Sequence, residues 1–513
     1  LLIMPPSFPM PNSSPDHNIT LTDIVVLSAI ILTGSILLVL GTSKYGVGLT
    51  GDSISYIALA NNILKDFSFN DISGEPFVLW PPGYSLILVL FSLTAGVDVY
   101  AVLLPINIIC YVATVILLWL LVKPRLSSIL FLYLVLGTAA LSPAVLRIFS
   151  FAFAEVPFIP LLILFFLFLD KINGMTGYAT LIAAGVVVIL LSLIKYTGIL
   201  LLPVLLWAVY SGLKGKKRTT ALLSAGLLIP LPLTWVLVSN FFHSGTLTGY
   251  RGASASGLFE LLHEAGATFL YWVFPVILAV VVMVGKFKRW NEKEVSYSGR
   301  NISDKFLLGF SLLYFIAITV MSLYEAVDDL NNRLMIPLYF TLLIPAAFYA
   351  EKTIKLISEE KWRIAIILIL CLIPLAHART NYRGVTAQYY YGAGGISSDQ
   401  FHNKFPKDVE KLKAEILGKK VYTNNPAVFY YLTGLPNTTI PRKRFYNSDE
   451  IEVTENGLLD YFKGAEGSWV FIFNNMVDPD QYNIGEIGKK VELKVAASGE
   501  EWRLYTVDKE AGR

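Results

Sequence analysis

Two carboxylates and three cations stand where an otherwise apolar chain changes direction. Asp52 lies in SKYGVGLTGDSISYIALANNILKD (43–66), just after the first long apolar run. Arg147 and Glu155 flank IFSFAFA between two further runs, and Lys195 sits in SLIKYTGILLLP, a tight turn between two more. Arg333 follows YEAVDDLNN and opens LMIPLYFTLLIP. A charged group beside hydrocarbon is costly unless it is paired or used. Taken singly, each has an ordinary explanation, because Arg and Lys snorkel to headgroups and Glu caps helix N-termini. As a set on one face they suit transfer from a lipid phosphate. A phosphate leaving group needs positive charge, not a proton. The acceptor hydroxyl needs a base, which one carboxylate supplies. A hydrolase expelling a poor sugar leaving group would want a pair of carboxylates instead.

The elements that must position these groups are membrane spans. The chain has 513 residues, 55% hydrophobic and only 15% charged, too apolar for a soluble protein of this size. Eleven apolar runs approach spanning length: 24–41, 101–122, 126–146, 156–170, 177–194, 198–212, 220–238, 269–285, 306–323, 334–350 and 364–378. The net charge of +3 is small and dispersed, which argues against a nucleic-acid partner. Cys110 and Cys371 both lie in apolar segments, so no disulfide framework is read. Residues 1–23 open on a Pro/Ser/Asn-rich stretch that predicts disorder, with no basic n-region or small-residue cleavage site, so the first span reads as a retained anchor. Residues 24–378 form the membrane domain, with a first loop over 42–100. From 379 to 513 the composition is that of a soluble domain. A charged helix-like segment at 404–417 and the strand-like pieces KKVYTN, SWVFIFN and EWRLYTV predict a small α/β fold.

Sidedness turns on residues 83–96, GYSLILVLFSLTAG, which follow Pro81-Pro82. If they do not cross, Lys123/Arg125, Lys171, KGKKR (214–218), KFKR (286–289) and the Lys-rich 352–363 stretch share one side. The positive-inside rule makes that side cytoplasmic and puts Asp52 and the C-terminal domain outside. If they cross, Asp52 joins the basic side, and hydropathy leaves both arrangements open. Within the loop, Ile54, Ile57, Ala58 and Leu64 recur at helical spacing, as in a helix lying along the interface. The two prolines forbid one continuous helix, and Trp80 and Tyr84 suit the headgroup level.

GDSISYIALANNIL followed by WPPGYSLIL resembles the first-loop signature of the GT-C superfamily of polyprenyl-phosphate-dependent glycosyltransferases. It is most similar there to the branch of protein O-mannosyltransferases and the lipid A aminoarabinose transferase. SFAFAEVPFIPLLILFFLFL, LIKYTGILLLP, NNRLMIPLYFTLLIPAA and VYTNNPAVFYYLTGLP (421–436) resemble later family segments in the expected order. The resemblance implies an α-helical polytopic fold of about 11 spans with a small α/β extracytoplasmic domain. It implies that 83–96 does not cross, and that the site faces the exterior of a bacterial cytoplasmic membrane. It further implies inverting transfer of a hexose or pentose from a polyprenyl-phosphate donor to a glycan, lipid or protein acceptor. Asp52 takes the place of the general base. Glu155 matches an acid that helps hold a divalent metal or the acceptor. Lys195, Arg333 and Arg147, with Tyr56, Tyr196 and Glu75, complete the implied substrate-binding set. Two departures stand out. Asp52 is flanked by Gly51 and Ser53 where many relatives have adjacent acids, and Trp80 stands where many have a basic residue before Pro-Pro. The competing classes are a transporter or flippase of lipid-linked sugars, which would place charges mid-span in repeated halves, and a lipid-linked oligosaccharide ligase or polymerase.

Overall fold

The computed structural model describes residues 19–172, 178–288, 302–327, 329–403, 413–414, 416–446, 448–476 and 478–510. Residues 1–18 of the 1–23 segment expected to be disordered, KFKR beyond Lys288, and most of the 404–417 segment lie outside them, whereas Leu21–Asp23 are ordered as the first turn of α1, where Thr20 and Asp23 form a capping box. The membrane part is helical. In order it comprises α1 (Leu21–Thr42), α2 (Gly51–Asp66), α3 (Gly83–Ala95), α4 (Val99–Val122), α5 (Ile129–Ala140), α6 (Pro143–Phe149), α7 (Glu155–Ile172), α8 (Tyr178–Ile194), α9 (Leu201–Gly212), α10 (Gly215–Leu228), α11 (Leu231–Ser244), α12 (Leu258–Tyr271), α13 (Val273–Lys288), α14 (Ile302–Tyr324), α15 (Asn332–Lys355) and α16 (Glu360–Tyr391). It is a multi-pass membrane protein.

Among the described residues, six helices are long and apolar enough to cross a bilayer, and up to eight if each bent pair is one span. The sequence alone gives about eleven; bends inside two apolar runs separate six from eight, and apolar helices shorter than a span make up most of the rest. The 126–146 run bends by 48° between α5 and α6, and the 269–285 run by 90° between α12 and α13. Pro143 enters α6 in its first turn, where a missing N–H costs nothing but the preceding helix cannot continue through it. The apolar helices α3 and α8, and the Tyr196–Gly212 segment, are shorter than a span.

One ion pair bears on the disputed segment. Lys123 Nζ, at the end of α4, lies 2.9 Å from Asp23 Oδ2, in the first turn of α1. The start of α1 and the end of α4 are therefore on one side, so Thr42 and Val99 share the other. The chain between them, which contains α2 and α3, leaves from and returns to that second side. At 13 residues α3 is also only about 20 Å long, short of the roughly 30 Å hydrocarbon core. Other charged contacts gather at the Lys123 end. Arg125 meets Asp170 and Asp304, and Glu351 accepts the backbone N–H groups of Ser127 and Ser128.

α16 runs past the expected domain border at 379 as far as Tyr391. A short hairpin follows, β1 (Gly392–Gly394) against β2 (Ser397–Ser398), and then the α/β domain. Its sheet contains β3 (Val421–Thr423), β4 (Thr438–Thr439), β5 (Trp469–Phe473), β6 (Val491–Ser498) and β7 (Trp502–Glu510), in the order β4-β3-β5-β7-β6. β3 pairs parallel to both β4 and β5, while β7 is antiparallel to β5 and β6. The three strand-like sequence pieces are β3, β5 and β7. Tyr422, Leu458, Phe462, Val470 and Val507 form this domain's own core. The domain rests on the first loop, where Asn437 N–H donates to the Ile72 carbonyl at 2.9 Å.

Candidate active site

α2 begins at Thr50, whose hydroxyl accepts the Ser53 N–H while the Ser53 side chain reaches back to the cap, a capping box. Asp52 thus sits in the first turn, where the helix dipole favours a negative charge. Upstream, the backbone of 47–49 is clamped on both sides. Gly48 N–H donates to Ser150 O at 2.9 Å, and its carbonyl accepts Ala152 N–H at 3.0 Å. Ile396 N–H donates to Leu49 O at 2.8 Å, and Ser397 Oγ donates to Val47 O at 2.7 Å. The strap at 394–397 therefore comes from the glycine-rich YYYGAGGISS segment. Gly395 has φ +62°, and a Cβ there would collide with the Leu49 carbonyl. The apolar side of α2 (Ile54, Ile57, Ala58, Leu59) is fully buried. Ser85 Oγ of α3 donates to Tyr56 O, and the Tyr56 and Tyr84 rings meet edge-on at 5.2 Å.

The other charged residues sit at helix ends. Glu155 opens α7 and is 1% exposed. α8 stops at Ile194, Lys195 is extended, and a 3₁₀ turn (Tyr196–Leu200) follows, packed so closely that Gly198 has no room for a Cβ beside Leu191. That break aims Lys195 at Glu155. Asn331 caps α15 by accepting the N–H groups of Arg333 and Leu334, which places Arg333 in the first turn. A cation there opposes the helix dipole, so other partners must hold it.

Those partners are the two acids. Arg333 Nη2 lies 2.5 Å from Asp52 Oδ2, and Arg333 Nε 3.2 Å from Glu155 Oε1. Lys195 Nζ lies 2.7 Å from the same Glu155 oxygen. The Arg333 guanidinium also covers the Phe153 ring at 4.4 Å. All four residues line one cavity of about 590 Å³, together with Tyr56, Trp80, Pro81 and Tyr196. Glu155 is enclosed, whereas Asp52 keeps 27% of its side chain accessible. The Tyr196 hydroxyl donates to Val78 O at 3.1 Å and accepts from Asn240. Burial raises the Tyr56 phenol well above its usual range, and the nearby Asp52 charge adds to the shift. Tyr56 therefore serves as a neutral hydroxyl.

Two expected residues lie elsewhere. Glu75 is exposed on a turn whose carbonyl accepts Asp71 N–H. Arg147 is exposed on α6, its guanidinium 5.3 Å from the Phe151 ring, and it does not line the cavity. The ligand set for a divalent ion does not fit either. Glu155 already takes two cations, and no group of three or more His, Cys, Asp or Glu side chains suited to a metal occurs among the described residues. Sequence reading missed Arg251, Glu325, Arg442, Tyr446 and Glu452, all of which line the same cavity. Arg251 pairs with Glu325 at 3.3 Å and donates to Leu79 O. Arg442 lies 2.8 Å from Asp478 and 3.9 Å from Glu452. Arg251 was visible as a charge in the loop before α12, but nothing in the sequence of the C-terminal domain marks Arg442 or Glu452.

Solved structures of similar shape carry this architecture. The chain has the GT-C fold. Apo ArnT from Cupriavidus metallidurans superposes with a TM-score of 0.54 at 14% identity, covering 94% of this chain and 97% of that one. Arabinofuranosyltransferase AftD from Mycobacteria gives 0.56 at 13% identity, over 94% of this chain and 40% of that longer protein. The apo oligosaccharyltransferase of Archaeoglobus fulgidus gives 0.50 at 13%, over 94% and 74%. ArnT has also been solved bound to undecaprenyl phosphate, with a TM-score of 0.53 and 13% identity to this chain. No family model matches the sequence, and no curated protein does.

Proposed function

We propose that the protein is an inverting glycosyltransferase that moves a sugar, a hexose or pentose, from a polyprenyl-phosphate donor to an acceptor outside the cytoplasm. The observation that carries this reading is the convergence of Asp52, Glu155, Lys195 and Arg333 on one cavity at the non-basic end of a membrane bundle. Two solved neighbours bear transferase names, and a third, ArnT, is recorded bound to undecaprenyl phosphate. An acceptor hydroxyl attacks the anomeric carbon from the face opposite the donor phosphate. The new C–O bond forms as the bond to the phosphate oxygen breaks, and the acceptor proton passes to Asp52. Arg333 fixes the direction of the Asp52 carboxylate, as a base aimed at one acceptor proton requires. The phosphate leaves with its charge stabilised by Lys195 and Arg333, needing no acid. Glu155, buried between these cations, holds both in place and is a positioning residue. Arg251, Tyr446 and the Arg442–Glu452 pair face the acceptor's approach. Charges fixed at helix ends in one network fit a reaction centre better than a transport path, which would carry them mid-span.

Binding of undecaprenyl phosphate to the detergent-purified protein tests this reading. Lys195→Ala, which removes a phosphate-facing cation, is expected to weaken binding about tenfold, or 1.4 kcal/mol. Wild-type affinity in a folded Lys195→Ala protein would contradict the assignment of this cavity to the lipid phosphate.

A further inference from the structure

On the far side of α6 lies a second cavity, of about 570 Å³, which the proposed reaction leaves unused. Its walls come from Pro143 and Ala144 of α6, Tyr271 of α12, Ile277 of α13, and Ile373 and Ala376 of α16. The lining is almost entirely apolar. The flanking Leu270, Ile369 and Leu372 are exposed, so the groove opens sideways onto the face that an apolar bundle turns to lipid. From Ile369 to Thr380 it follows α16 for about 16 Å, toward the end that carries the catalytic cavity.

A cation stands at that end. Arg147 lies three residues beyond Ala144, on the same face of α6. Its guanidinium covers Phe151, its charge is felt by the groove residue Tyr271, and it makes no ion pair among the described residues. The groove and the catalytic cavity share a wall. Asn332 Nδ2 donates to the Ala144 carbonyl at 3.0 Å, and the next residue is Arg333. Phe151, beneath Arg147, stacks on Phe153 at 4.8 Å, and Arg333 rests on Phe153.

We propose that this groove is a second site for a polyprenyl phosphate, with the isoprenoid chain along α16 and the phosphate on Arg147, holding one carrier beside the cavity where another reacts. The proposal rests on the transferase reading of the first cavity. A long apolar groove with one cation at its end complements one chain with one anionic head. A bilayer phospholipid brings two chains, and only one could be seated here. An arginine without a carboxylate partner has donors for the phosphate oxygens.

The test counts undecaprenyl phosphate bound to the full-length purified protein by native mass spectrometry, with the melting temperature of each variant measured alongside. Wild type is expected to take two equivalents. Arg147→Ala and Ile373→Trp, the second filling the groove, should each weaken one equivalent about tenfold or more and spare the other. Lys195→Ala should weaken the spared one. Phosphatidylglycerol at equal concentration should displace neither. Two equivalents at wild-type affinity in both groove variants would overturn the proposal. So would displacement of the groove equivalent by phosphatidylglycerol, which would make it an ordinary bilayer lipid. A single equivalent lost only in Lys195→Ala would sink the groove while sparing the catalytic assignment. Loss only in the groove variants would do the reverse.

Discussion

Arg333 stands out at the residue scale because its position works against it. A guanidinium in the first turn of α15 opposes the helix dipole, and its retention depends on Asp52, Glu155 and the Phe153 ring. Glu155→Gln would take the carboxylate from Lys195 and leave Arg333 with Asp52 alone, so the variant is expected to lose about 3–5 kcal/mol of stability, read as a lower melting temperature. An unchanged melting temperature would mean that Glu155 does not hold the cations. Asp52, Glu155, Lys195 and Arg333 were legible in the sequence because ionisable residues beside apolar runs are conspicuous. Glu75 and Arg147 carried the same signal and fell outside the cavity. Spacing along the chain does not say toward which side a turn or a short helix points.

The element that matters most is the backbone strap over 47–50. It fixes the cap of α2, and with it the height of Asp52, through pairings to 150–152 and 395–397. Gly395→Val would push the Leu49 carbonyl aside and shift α2. Transfer is expected to fall by about tenfold or more, since small misplacement of a reacting group is costly. Binding of undecaprenyl phosphate should change little, because Lys195 and Arg333 stand on other elements. Equal loss of both would indicate general unfolding instead. The helical spacing of α2 and the break at Pro81-Pro82 were readable, but α2 is buried on all sides over 53–60 instead of presenting one apolar face to the interface. The bends at α5/α6 and α12/α13 were missed because the apolar runs read as continuous, although Pro143 and Pro275 stand in the first turns of α6 and α13.

At the scale of the whole molecule, the Lys123–Asp23 pair joins the start of α1 to the end of α4, and the proposed sidedness puts the Asp52 cavity and the C-terminal domain outside and the basic loops inside. In a protein with Cys110 and Cys371 replaced by alanine, Ser68→Cys and Ser254→Cys should react with an impermeant thiol reagent in intact cells, and Lys216→Cys only after lysis. Labelling of Ser68→Cys together with Lys216→Cys would reverse the sidedness of the first loop. The overall architecture was largely visible in the sequence, including the small α/β domain with strands at β3, β5 and β7. How that domain brings Arg442, Tyr446 and Glu452 to the cavity rim was not visible, since it depends on contacts between segments some 200 residues apart, such as Glu450 with Tyr250 and Ala253.

The central claim is that Asp52 removes the acceptor proton at a lipid phosphate, and the Asp52→Asn variant tests it most directly. Asparagine preserves shape and hydrogen-bonding reach but cannot act as the base. The account predicts transfer from the polyprenyl-phosphate sugar reduced about 10²- to 10⁴-fold. Undecaprenyl phosphate binding should stay close to wild type, and the melting temperature should fall less than in Glu155→Gln, because Arg333 keeps Glu155 and Asp52 is the more exposed acid. An Asp52→Asn protein that transfers sugar at the wild-type rate would contradict it.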